Sequence, residues 1–233
     1  MTGAHSVSNQ ALICDCDGVL IDSEAVAARM LVRELQARWP DADVEPVVMP
    51  LLGLRIERVL EGTASQLGRT LAASDVEAIR RAVEGAAIDA PSVPGIATAL
   101  AQIPLTKACA SNSFAPYVRT VLARTGLAEH FGERLFCADM VAQPKPAPDV
   151  YLAAARGLQL TPDACLVVED SVTGVTAATT AGMTVLGFIG GGHASEAQID
   201  ALRAAGARHV FDDMRQLPTF VAQWMERVAI GLH

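Results

Sequence analysis

The sequence predicts an α/β protein, a doubly wound parallel sheet carrying a helical insertion. Three observations lead there. An apolar run, Leu12-Ile13-Cys14, ends abruptly in Asp15-Cys16-Asp17-Gly18. From Gly95 onward, short apolar runs alternate with helix-patterned stretches, as in parallel sheets with right-handed crossovers and helices on both faces. Between these two parts, residues 23–90 carry helical periodicity and no strand-like run.

The opening strand sets the first constraint. Strand residues alternate faces at a rise of ~3.3 Å, so Asp15 and Asp17 leave the same side about 7 Å apart. Gly18 then allows a sharp backbone turn. Two acids at the end of a buried strand need compensation, because like charges ~4 Å apart repel by about 4 kcal/mol at an effective dielectric near ~20.

A long helix is expected from Ser23 to Trp39, with Val26, Met30, Leu31 and Leu35 on one face, Ser23 as N-cap, Glu24 in the first turn and Pro40 as the stop. Val44–Leu52, Ile56–Leu67 and Val76–Ile88 read as three more helices, with Ser74 or Asp75 capping the last. The turn Pro91-Ser92-Val93-Pro94-Gly95 closes the insertion. This gives a core domain of residues 1–22 and 91–233, and a helical cap domain of residues 23–90.

In the second part, strands are expected at Leu105–Ala110, Leu135–Ala138, Cys165–Val168, Thr184–Ile189 and His209–Phe211. Helices are expected at Gly95–Gln102, Pro116–Arg124, Asp149–Leu158, Val172–Ala181, Glu196–Ala205 and Leu217–Ile230. Gly126, Gly157, Gly182 and Gly206 stand where C-cap glycines belong.

Composition narrows the class of partner. The 233 residues are 51% hydrophobic, enough to bury a sizeable core. A net charge of −8 and a pI near 5.1 argue against nucleic-acid and anionic-membrane surfaces. No apolar run approaches the ~20 residues that span a bilayer. Residues 1–10 are polar and lack the apolar segment of a secretory signal. The five cysteines are odd in number and form no C-x-x-C pair. A reduced, cytoplasmic protein is expected.

Parallel sheets place their sites beyond the carboxyl ends of the strands. There the sequence sets Asp15 and Asp17, then Ser111-Asn112-Ser113, then Gln143-Pro-Lys145-Pro-Ala-Pro148, then Glu169-Asp170-Ser171. Asp15, Asp17, Glu169 and Asp170 make a hard, all-oxygen set suited to Mg2+. Ser111, the neighbouring amides and the following helix N-terminus offer donors to a phosphate. Lys145 supplies a compact positive charge in a proline-stiffened loop. Each part alone has an ordinary use: a serine after a strand caps a turn, a lysine is solvated, and acids favour a helix N-terminus. Gly174, in a helix's first turn at a cost of ~1 kcal/mol relative to alanine, hints at close backbone approach. Together, a carboxylate nucleophile, a divalent ion and phosphate donors are the parts of transfer through an aspartyl-phosphate.

These segments resemble the haloacid dehalogenase superfamily. Its four motifs match Asp15-Cys-Asp17-Gly-Val-Leu, Ser111-Asn112, Lys145-Pro-Ala-Pro-Asp and Val-Val-Glu169-Asp170-Ser171, and the similarity covers nearly the whole chain. The resemblance implies a Rossmann-like core with Asp15 as nucleophile and Asp17 as general acid/base. It implies phosphoryl binding by Ser111, Asn112 and Lys145. Mg2+ would take Asp15, the Asp17 backbone carbonyl and Asp170, with Glu169 contributing directly or through water.

Departures within the family select a branch. Dehalogenases of the superfamily lack the second acid, here Asp17. Phosphonoacetaldehyde-type hydrolases use a cap lysine, whereas the only lysines here are Lys107 and Lys145. Beta-phosphoglucomutases carry a histidine on the first cap helix where this chain has Ala27. The expectation is an Mg2+-dependent phosphatase of small monoesters, similar to the sugar-phosphate, 6-phosphogluconate and phosphoglycolate phosphatases. A phosphomutase and a silent binding or regulatory protein are the alternatives. Arg55, Glu57 and Arg58, at the start of a cap helix, are candidates for substrate specificity, against their ordinary use as a solvated face. The expected partner is a small phosphorylated metabolite, with no nucleic acid or membrane, and the chain is expected as monomer or homodimer.

Overall fold

The computed structural model describes residues 9–51, 56–190 and 196–229. Among these, six strands form one parallel sheet: β1 (Ala11–Cys14), β2 (Thr106–Ser111), β3 (Leu135–Cys137), β4 (Cys165–Glu169), β5 (Thr184–Phe188) and β6 (His209–Phe211). Their order is β3-β2-β1-β4-β5-β6. β1 is therefore central, with Ala11 opposite both Thr106 and Cys165, and Cys14 opposite both Cys109 and Val168. Every residue of β1 is buried and apolar, as expected of a strand covered on both faces. The winding reverses beside β1, which puts a topological switch point at the carboxyl ends of β1 and β4, where open α/β sheets bind ligands.

The chain divides into two units, Asp22–Ala90 on one hand and Met1–Ile21 with Pro91–His233 on the other. The first contains α1 (Ser23–Arg38), α2 (Glu45–Val48), α3 (Ile56–Gln66) and α4 (Ala73–Ile88). Leu31, Leu35, Val48, Val59, Leu60 and Ile79 meet in its core, the apolar stripes of an all-helical body. The second adds α5 (Ile96–Gln102), α6 (Ala115–Arg124), α7 (Ala128–Phe131), α8 (Asp149–Leu158), α9 (Val172–Thr180), α10 (Glu196–Ala205) and α11 (Leu217–Ala229) around the sheet. Ile13, Ala108, Ala110, Tyr151, Val167 and Val185 belong to one of its buried clusters. No helix among the described residues is long and apolar enough to cross a membrane.

Several boundaries differ from expectation for local reasons. Asp22, not Ser23, precedes α1, without a side-chain cap bond. The single helix expected over Val44–Leu52 divides into α2 and a 3-10 turn, Met49–Leu51, around Pro50, which has no amide hydrogen to continue an α-helix. Leu52 lies outside the described residues. α4 begins three residues earlier than expected, at Ala73, where the Asp75 carboxylate accepts from the Ala72 amide at 3.3 Å. Residue pattern gives no sign of the short α7, and Ile230 lies outside the described residues.

Gly126, Gly182 and Gly206 take positive φ after their helices, but Gly157 does not. α8 ends through Gln159 at φ 59, and Gly157 sits inside the helix. Packing explains that glycine: a Cβ there would lie 2.5 Å from Phe136 Cζ on β3. Gly157→Ala is expected to destabilise by about 1–3 kcal/mol through overpacking. Gly85, exposed in α4 with nothing within 4 Å of an added Cβ, is the control. Gly85→Ala is expected to stabilise its unit by about 1 kcal/mol. Urea unfolding of both variants checks the opposite signs.

Candidate active site

The site grows from the end of β1. The Asp15 amide donates to Val168 O at 3.0 Å, carrying the pairing with β4 one residue past the strand. The chain then closes on itself, with Gly18 N donating to Ile21 O at 2.8 Å and both Leu20 N and Ile21 N to Cys16 O at 2.9 Å. Gly18 is required twice over. Its φ is +80°, and a Cβ would fall on the Asp170 carboxylate. The loop after β1 and the loop after β4 are thus in direct contact through that glycine.

Lys145 is the centre of the buried charges. Its ammonium donates to Asp15 Oδ1 at 2.5 Å, Glu169 Oε1 at 2.6 Å and Ala110 O at 2.9 Å, which uses all three N–H donors. Burial alone works against its charge, but Asp15 and Glu169 outweigh burial and hold the pKa well above the usual lysine value. Burial lifts the Asp15 carboxyl to about 8; Lys145 opposes that rise, while Glu169 and Asp17 add to it. Asn112 places the lysine: its side-chain oxygen accepts from the Lys145 amide at 2.8 Å and its NH2 donates to Lys145 O at 3.1 Å. The carboxamide of Asn112 is therefore committed to the Lys145 loop.

Glu169 is buried and accepts five hydrogen bonds. Lys145 Nζ and Tyr151 Oη (2.8 Å) reach Oε1, while Asp170 N, Ser171 N and Ser171 Oγ, at 3.0–3.1 Å, reach Oε2. A carboxylate offers about four lone-pair sites, so these donors share all of them. Ser171 Oγ in turn accepts from Gly174 N, capping α9. The close approach hinted at by Gly174 is to this carboxylate, since a Cβ at residue 174 would overlap Glu169.

Asp17 is turned elsewhere. Ser113 Oγ donates to its Oδ2 at 2.7 Å and Tyr117 Oη to its Oδ1 at 2.8 Å. Ser111 is buried, its hydroxyl accepting from Ser113 N at 3.0 Å. The N-terminus of α6 is less open to an anion than its position suggests. Asp139 accepts from the Ala115 amide at 3.1 Å, and Pro116 has no N–H.

The donor set fits a hard divalent cation. Asp15, Glu169 and Asp170 each bring one ligand atom within 4.8 Å of the others. All are oxygens, and the Lys145 ammonium pairs with two of the three carboxyl groups, those of Asp15 and Glu169. A cation contacting Glu169 directly must displace one of its present donors.

Arg55 lies outside the described residues. Glu57 and Arg58 are exposed on α3, Arg58 pairing with Glu61 at 3.1 Å. Two side chains of the site, Tyr117 and Tyr151, escape pattern reading, and Ser113 is legible only as part of Ser111-Asn112-Ser113, without its partner. Rarity is the available signal, because the chain has only two tyrosines and both hydroxyls end on site carboxylates.

The chain is similar to known proteins along most of its length. The pattern of the haloacid dehalogenase-like hydrolases matches residues 10–182. The chain is 26% identical over 186 residues to the 6-phosphogluconate phosphatase of Escherichia coli K12, covering 79% of this chain and 84% of that one. It is 32% identical over 179 residues to hexitol phosphatase B of the same organism, covering 74% and 80%. A crystal structure of a HAD family hydrolase from Deinococcus radiodurans R1, with bound phosphate and sodium, superposes with a TM-score of 0.81 at 29% identity, covering 94% of this chain and 97% of that chain.

Removing the buried cation tests the geometry. Lys145→Met leaves Asp15 and Glu169 without their counter-charge and is expected to cost about 3–5 kcal/mol of stability. Adding Glu169→Gln to that variant should recover part of the loss. An unchanged denaturant midpoint in Lys145→Met would show that the charges are not coupled as described.

Proposed function

The chain belongs to the haloacid dehalogenase-like hydrolase family, and from that premise we propose that it is an Mg2+-dependent phosphatase of small phosphate monoesters, sugar or polyol phosphates among them. The observation that carries this reading is the different treatment of two acids at one strand end. Asp15 is buried against an ammonium, and Asp17 is held by hydroxyls.

In this reading Asp15 is the nucleophile. One of its carboxylate oxygens bonds to phosphorus as the bond from phosphorus to the leaving-group oxygen breaks, and Asp17 gives that oxygen a proton. Asp17, now a carboxylate, takes a proton from water as the water oxygen attacks phosphorus. The Asp15–phosphorus bond breaks and inorganic phosphate leaves. Ser111 and the amides of its loop, with Lys145, bind the phosphoryl oxygens, and Lys145 exchanges one of its present acceptors to do so. Asp15, the Asp17 carbonyl and Asp170 would hold Mg2+, with Glu169 beside them. When bound, the ion supplies positive charge that offsets the repulsion between the carboxylates and the phosphate dianion.

Ala27 favours hydrolysis over the phosphomutase alternative. A mutase must keep water from the phosphorylated aspartate, and alanine offers no side-chain hydrogen bond with which to restrain the acid/base. Relatives named phosphatases support the same choice.

Purified protein is expected to release phosphate from a hexitol phosphate with added Mg2+, and to lose that activity in a chelator. Asp15→Asn should reduce turnover by at least about a thousandfold, since no covalent intermediate can form. Full activity after stringent metal removal, or wild-type turnover by Asp15→Asn, would overturn the reading. Faster formation of glucose 6-phosphate than of phosphate from beta-glucose 1-phosphate and a bisphosphate primer would restore the mutase.

A further inference from the structure

Both oxygens of Asp17 accept from hydroxyls only four residues apart in sequence: Ser113, in the loop after β2, and Tyr117, in the first turn of α6. This segment is firmly placed. Ala138 N donates to Ser113 O at 3.4 Å, Asp139 caps the Ala115 amide, and Val118 beside Tyr117 is fully buried. A carboxyl group turns about two side-chain bonds, and one donor fixes a single oxygen while leaving the other free to swing. A rigid donor at each oxygen fixes both torsions. Burial and the Asp17 charge raise the Tyr117 pKa, so the phenol stays a hydroxyl and serves as a donor.

We propose that Tyr117 and Ser113 are positioning residues that hold the Asp17 carboxyl in line for proton transfer to the leaving-group oxygen and, in the second step, from water. This inference rests on the phosphatase reading. The two hydroxyls donate to Asp17, whereas Lys145 donates to Asp15, so their removal acts on proton transfer and leaves phosphate binding in place.

Leaving groups separate this role from a structural one. An alkyl phosphate expels an alkoxide that needs a proton as the bond breaks, whereas an aryl phosphate expels a phenolate stable enough to leave without one. kcat/KM reports the steps up to formation of the phosphorylated aspartate, and kcat includes its hydrolysis.

The experiment compares a hexitol phosphate with 4-nitrophenyl phosphate, using wild type, Tyr117→Phe, Ser113→Ala, Ser113→Thr and, as reference, Asp17→Asn. Tyr117→Phe and Ser113→Ala are expected to lower kcat/KM for the hexitol phosphate by about 10- to 100-fold, and for the aryl ester by less than about threefold. For the aryl ester, kcat and KM should fall together as the intermediate accumulates, giving a burst of nitrophenolate equal to the enzyme present. Ser113→Thr should restore most of the loss. Inhibition by inorganic phosphate should be unchanged in the three hydroxyl variants relative to wild type, which shows that the site is folded.

Equal losses of kcat/KM for both esters, or no loss for either, in Tyr117→Phe would overturn the proposal while leaving the phosphatase reading intact. Wild-type protein that releases phosphate from neither ester would overturn that reading and the proposal with it.

Discussion

The ammonium of Lys145 is the constraint on which the rest of the site depends. A buried positive charge is costly unless every N–H has an acceptor and opposite charge lies close by. Here the three acceptors come from three strands: Asp15 just past β1, Ala110 in β2 and Glu169 at the end of β4. One side chain thus ties together the ends of three adjacent strands, β2, β1 and β4, at the point where the winding reverses. Hydrophobic packing can hold strands side by side, but it does not align their ends closely. Three short charged hydrogen bonds to one nitrogen do.

That alignment is supported from both sides. The loop carrying Lys145 has no regular partner strand of its own, so its backbone must be placed by a side chain, and the Asn112 carboxamide does this with a reciprocal pair of bonds. On the other side, Tyr151 in α8 donates to Glu169, and its ring centre lies 4.9 Å from the lysine nitrogen. Gly174 lets α9 approach Glu169 closely enough for its first turn to be capped by Ser171, which is itself bonded to that carboxylate. Helix placement, strand alignment and charge burial are one connected network.

Much of this is legible in the sequence because the code is positional. Asp15, Ser111, Glu169 and Asp170 follow apolar runs and Lys145 lies in the loop after another, and in a parallel sheet the residues after each run must sit at one edge. The strands fall within a residue or two of their expected places, His209–Phe211 matching as expected, and so does the helix Asp149–Leu158. Gly157 misleads because a glycine near a helix end has two uses, positive φ or close packing, and only the position of the Phe136 ring decides between them. Tyr117 and Tyr151 are hidden for a related reason. Both stand in first turns of helices, where a tyrosine commonly serves the core, and nothing local to α6 or α8 announces a carboxylate from a distant strand. Ser113 is visible as part of Ser-Asn-Ser, but its partner lies 96 positions away.

The four acids of the site are not equivalent, and their hydrogen bonds explain how one strand edge can carry them all. Glu169 is saturated by five donors, three of them from its own following turn, and so serves as a fixed negative post for Lys145. Asp15 faces that lysine through one carboxylate oxygen, with burial pushing its carboxyl upward. Asp170 is pressed against Gly18 and so is coupled to the loop that carries Asp15 and Asp17. Asp17 is tethered by Ser113 and Tyr117 to α6 and the loop before it, whereas Asp15 and Glu169 share Lys145. The hydroxyls that hold Asp17 are thus not the groups that hold Asp15, although the charge of Asp17 is still felt at Asp15. The separation does not come from the strand end, since Asp15 and Asp17 leave the same one; it comes from the tight turn between them and from the hydroxyls that α6 and its preceding loop present to Asp17.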